Sequence, residues 1–149
     1  MNYTANDVKA LRDATGAGLL DCKKALNETN GDVAEAEKLL KEKGLAAMAK
    51  RTDRTAAEGR IVVKQDGNKI AIAETLCETD FVSNNADFIN VAEKAAEVTL
   101  AKKTSGVLPE HKELIDSILV KFRENMSVKR AEYVEVPAGC VASTYVHHD

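Results

Sequence analysis

Between Gly44 and Arg60 the apolar residues of this chain change their period, and that change limits the fold more than any other feature. Before it, apolar side chains recur at three- and four-residue spacing. Val8 and Leu11 share one face, as do Leu19, Cys22 and Leu26, and then Val33, Ala36, Leu39 and Leu40. Thr4 with Asp7 forms a capping-box-like start, and Gly16 and Gly18 break the first helix. Asn30-Gly31 ends the second, Asp32 with Glu35 caps the third, and Gly44 is expected to stop it. Three helices of this length predict a compact bundle with a small core.

After the change, alternation replaces helical spacing. Ile61 and Val63 alternate with polar neighbours, and Asp66-Gly67-Asn68 makes a tight turn into Lys69–Cys77. On that second strand Ile70, Ile72, Glu74 and Leu76 share a face, so Glu74 must be hydrogen-bonded or wet. A place at the sheet edge is the simplest account. A long helix is predicted over 84–103, with Phe88, Val91, Ala92 and Ala95 inward. A second helix carries Leu114, Ile115, Ile118, Leu119 and Phe122. Residues 128–136 read as a strand, Pro137-Ala138-Gly139 as a turn, and 140–146 as a returning strand. The expected class is α+β, with antiparallel strands packed on two helices. The expected boundaries are 1–44 for the bundle, 45–59 for an Ala-rich, partly helical linker, and 60–149 for the α+β part.

Several kinds of function find no support in the residues. The chain has 149 residues, a formal charge of -3 and no Trp, which argues against a nucleic-acid partner. Lys50, Arg51 and Arg54 could touch nucleic acid or simply solvate the linker. No apolar run approaches the ~20 residues that span a bilayer. No secretory pattern is visible at Met1–Thr4, so a cytoplasmic location is expected. Cys22, Cys77 and Cys140 show neither CxxC nor Cys/His ligand spacing, which favours reduced, packed thiols. Thr15-Gly16-Ala17-Gly18 followed by Lys23-Lys24 lacks the spacing of a phosphate loop. His147-His148-Asp149 looks metal-like but has no distant partner residue. No cofactor, no metal and no catalytic residues are expected; the chain should act through a surface.

Two ordered strings point to that surface. Leu11-Arg12, then the run from Thr15 to Leu26 (TGAGLLDCKKAL), then Asn30-Gly31-Asp32, closely resembles the N-terminal module of the elongation factor Ts family. Glu78-Thr79-Asp80-Phe81-Val82, followed by Asn85 and Phe88, is similar to that family's TDFV loop. Glu124-Asn125 with Lys129-Arg130 looks like its ENxxxRR stretch, although Arg123 stands where a Gly is usual. Tyr145-Val146-His147 looks like the start of its YxHxG segment. The family continues further, so the chain reads as a fragment.

The resemblance implies a three-helix domain similar to ubiquitin-associated domains, docking on GDP-bound elongation factor Tu. The Thr79–Val82 loop would enter near that partner's Mg²⁺ site and loosen GDP. Partner-binding residues would then be Arg12, Leu19, Leu20, Thr79, Asp80, Phe81 and Val82, with Met126 and His147 as further candidates. From the residues alone, Phe81 either anchors an interface or packs beneath its own helix. One of Leu19 and Leu20 should face the core and leave the other exposed. Two other readings remain: a ubiquitin-associated-like adaptor without exchange activity, and an RNA-binding protein using residues 50–60.

Overall fold

The computed structural model describes residues 2–50 and 53–147. The protein is α+β. Among the described residues there are six helices and one three-stranded antiparallel sheet. The chain divides into two compact units: residues up to Asp53 together with Asp116–Glu124, and Arg54–Ile115 together with Asn125 onward.

The first unit begins with α1 (Ala5–Thr15), α2 (Leu19–Glu28) and α3 (Val33–Ala49). Thr4 and Asp7 close a reciprocal capping box. The Thr4 amide donates to Asp7 Oδ2 at 2.6 Å, and the Asp7 amide donates to Thr4 Oγ1 at 3.3 Å. Asp32 caps α3 through the Glu35 amide at 3.0 Å. At the end of α2, Gly31 adopts φ +91, and its amide reaches back to the Leu26 carbonyl at 2.8 Å. A Cβ there would lie 2.1 Å from the Asn2 carbonyl oxygen, so the position requires glycine on two counts.

Val8, Leu11, Cys22, Ala25, Leu26, Ala36 and Leu40 form the core of this unit. Val120, from far along the chain, completes it. Val120 lies on α6 (Pro109–Phe122), whose second half belongs to this unit. The expectation that Gly44 stops α3 is corrected. The helix continues through it to Ala49, and Val120 packs on the glycine, where a Cβ would sit 3.1 Å from Val120 Cγ2. Close approach, not termination, is the reason for glycine there.

The second unit is a sheet of order β1 (Glu58–Asp66), β2 (Lys69–Cys77), β3 (Ser127–Glu135), with α5 (Ala86–Lys102) across one face. Ile70, Ile72, Glu74 and Leu76 share one face of β2; on the other face Ala71, Ala73, Thr75 and Cys77 are all buried, while Ile72 is 40% exposed. Small residues on β2 and Ala92, Ala95 and Ala96 on α5 are all buried, which lets the helix lie close to the sheet. Glu74, on the open face of this central strand, pairs with Arg130 of β3 at 2.6 Å, so it needs no edge position. The expected second hairpin does not form: residues 140–146 carry no strand, and β3 pairs directly with β2.

His111 of α6 is fully buried and fully used. Its Nδ1 accepts from the Leu108 amide at 2.9 Å, and its Nε2 lies 3.0 Å from both the Ala95 carbonyl and Thr99 Oγ1.

Candidate functional site

The Thr79–Val82 segment is not an open loop. It is a single helical turn, α4 (Asp80–Ser83), set between β2 and α5 with Thr79 at its start. Val82 and Ser83 are buried, at 6% each, and fasten the turn to the body of the second unit. Phe81 points the other way and is 84% exposed. One helical turn forces this contrast. Neighbouring residues leave the axis about 100° apart, so burying Val82 and Ser83 turns Phe81 outward. Of the two readings of Phe81, its packing beneath its own helix is thereby excluded.

Asp80 is exposed beside it, and its carboxylate has no partner among the described residues. Its carbonyl, by contrast, accepts from the Asn84 amide at 3.0 Å, Asn84 Nδ2 at 2.9 Å and Ser83 Oγ at 3.1 Å.

Both flanks of the turn are tied down. Ahead of it, Glu78 Oε1 accepts from the Asn125 amide at 2.7 Å, and Glu78 Oε2 pairs with Arg54 at 3.3 Å. Asn125 Nδ2 also donates to the Arg54 carbonyl at 3.0 Å. Behind it, Arg60 Nε donates to the Ser83 carbonyl at 2.8 Å. Sequence reasoning passed over Glu78, Arg54, Asn125 and Arg60 as site residues, because charged and polar residues in a polar stretch carry no local signal of a contact so distant in sequence.

The remaining candidates fall in different places. Met126 is only 7% exposed, so its side chain is largely withdrawn from the surface. His147 is exposed, with Nδ1 2.6 Å from Tyr145 Oη. It lines a groove of about 530 Å³ together with Ser83 and Asn84, which brings it to the edge where α4 ends. His148 and Asp149, the other members of the terminal cluster, lie outside the described residues, as do Met1 and the Arg51 of the basic stretch. Among the described residues no group of three or more His, Cys, Asp or Glu is placed to hold a metal ion. No helix among them is long and apolar enough to cross a membrane.

On the first unit, Leu19 and Leu20 are both exposed, at 48% and 71%. This corrects the expectation that one of them is inward. Cys22, Ala25 and Leu26 fill the α2 core positions and leave the first two residues of the helix at the surface. Arg12 is exposed in the last turn of α1.

These residues stand in a chain with close relatives. The family model described as Elongation factor TS matches residues 78–149. The elongation factor Ts of Treponema denticola is 50% identical over 149 residues, covering all of this chain and 53% of the relative. That of Clostridium perfringens is 45% identical over 97% of this chain and 51% of its own length. That of Treponema pallidum is 42% identical over the whole chain and 55% of the relative. The chain is similar to elongation factor Ts over its whole length. It spans about half the length of the curated relatives it matches and corresponds to their N-terminal half.

Within that family frame Arg123 gains meaning. It adopts φ +53, a left-handed conformation that glycine takes without cost, and its guanidinium pairs with Asp21 in the same unit.

Proposed function

We propose that this chain is the partner-binding half of a translation elongation factor that promotes GDP release from elongation factor Tu, acting through its surface and not as an enzyme. The observation that carries the reading is Phe81: a large aromatic, 84% exposed, on a turn whose Val82 and Ser83 are buried and whose two flanks are held by hydrogen bonds from Arg60 and Asn125. Exposing a ring in this way has no benefit for the folded chain. Rigid presentation of one aromatic is what an interface anchor needs.

In this reading Phe81, with Asp80 beside it, enters near the partner's Mg²⁺ site and disturbs the contacts that hold the nucleotide phosphates. Leu19 and Leu20, both exposed, provide a separate apolar contact on the partner, with Arg12 on the same unit available to a carboxylate. Linkage then sets the thermodynamics. A factor that weakens GDP binding is itself weakened by GDP to the same extent, so it speeds exchange without choosing the final nucleotide.

Stopped-flow release of fluorescent GDP from elongation factor Tu tests this. Phe81→Ala is expected to slow stimulated release about tenfold or more, a change of ~1.4 kcal/mol per decade. Its melting temperature should stay nearly unchanged, since an exposed side chain lacks the ~3–5 kcal/mol that a core Phe contributes. The same comparison belongs in a full-length relative carrying the equivalent change. Loss of stability with undiminished release would return Phe81 to a folding role. Tight binding without any acceleration would favour the adaptor reading.

A further inference from the structure

We propose that Arg60 is a positioning residue for the exchange turn, fixing the direction in which Phe81 leaves the surface; this rests on the reading of Phe81 as the group that acts on the partner. A helix of four residues cannot hold its own shape, because a single turn fixes several dihedrals for very few hydrogen bonds. The next helix is not continuous with it. α5 starts afresh at Asn85, whose side chain caps the Asp87 amide at 3.0 Å, so the backbone turns away immediately after Asn84.

Arg60 meets the turn at that corner. It lies on β1 opposite Thr75, on the sheet face that carries α5, and is partly buried. Its Nε donates to the Ser83 carbonyl at 2.8 Å, and its Nη2 donates to Asn84 Oδ1 at 3.1 Å. Asn84 passes the restraint back, since its Nδ2 donates to the Asp80 carbonyl at 2.9 Å. One guanidinium therefore grips the backbone on both sides of Phe81, directly at Ser83 and through Asn84 at Asp80.

The geometry needs arginine. Two separate acceptors are met at once by the parallel Nε–H and Nη2–H of the planar fork, an arrangement that a lysine ammonium on its flexible stem does not reproduce. A solvated surface arginine would contribute little. This one makes charge-assisted bonds to acceptors fixed by the fold.

The test combines fluorine NMR of this chain with nucleotide release. With 4-fluorophenylalanine at the three Phe positions, Arg60→Met and Arg60→Lys should shift and broaden the Phe81 resonance. The buried Phe88 resonance should stay in place. Both variants should slow stimulated GDP release on the order of tenfold, the scale of losing a charge-assisted hydrogen bond. In a Phe81→Ala background neither should slow it further. An unmoved Phe81 resonance overturns the positioning role, whether or not Phe81 acts on the partner. Full rescue by Arg60→Lys overturns the fork, and additive losses in the Phe81→Ala background mean that Arg60 acts elsewhere. If Phe81→Ala alone leaves release unchanged, the exchange reading fails, while the resonance test still decides whether Arg60 holds the turn. Should Arg60→Met fail to fold, Arg60→Lys and Asn84→Ala carry the same comparison.

Discussion

Asp7 shows how a single side chain links local structure to solution conditions. Its carboxylate accepts from the backbone amide and then the hydroxyl of Thr4, and these bonds hold its pKa below the usual carboxylate range. The folded pKa is depressed, so the stabilisation is present above the unfolded value, near 3.9, and is lost as pH falls through the folded one. Asp7→Asn keeps the size but loses the charge. The melting-temperature gap between wild type and Asp7→Asn should be open at neutral pH and close in acid, and a gap constant across that range would remove the capping box as its source. This box was legible, because its spacing is local. Phe81 was only half legible: sequence showed an aromatic in a polar stretch, but its outward direction depends on the burial of Val82 and Ser83. Leu19 and Leu20 were misjudged for a related reason. A helical stripe shows which residues can share a face, not how far along the helix the core extends.

At the scale of elements, small residues carry a signal that periodicity underweights. Gly44 was expected to end α3, and the small residues of β2 were given no role. In both places small residues mark close approach. Gly44 lies under Val120, and Ala71 and Ala73 lie on the side of the sheet that receives α5. Sequence weights large apolar residues most heavily, yet where helices pack closely the smallest residues occupy the contact. A double-mutant cycle separates propensity from packing at Gly44. Glycine inside a helix costs ~1 kcal/mol relative to alanine. In wild type, Gly44→Ala gains that term but presses Val120, which must yield by a few tenths of an ångström. After Val120→Ala the pressure is gone, so Gly44→Ala should stabilise more in that background, by up to ~1 kcal/mol from denaturant midpoints. Equal effects in both backgrounds would show that Val120 does not restrict the site.

The molecule as a whole is less separable than its sequence suggests. A boundary near residue 44 follows from the change of period, and the first three helices do share a core. Periodicity along one segment cannot reveal that residues 116–124 also belong to this unit, because Val120 joins its core and Arg123 pairs with Asp21, about a hundred positions away. That long-range debt shapes what removal of the N-terminal unit does. Deleting residues 1–50 takes away the surface that covers Val120, so the second half of α6 loses its packing, and a short helix is marginal without it. The sheet and α5 keep their own core of Phe88, Val91, Ala92 and Ala95. Amide hydrogen exchange should therefore show retained protection over 70–77 and 88–99 and lost protection over 116–122, with regions opening by their own local free energies. Unchanged protection at 116–122 would mean that α6 holds itself. Loss everywhere would mean that the second unit cannot fold alone, and any fall in partner binding could no longer be assigned to Leu19 and Leu20. Only the intermediate pattern permits that assignment, with Phe81 still presented by an intact sheet.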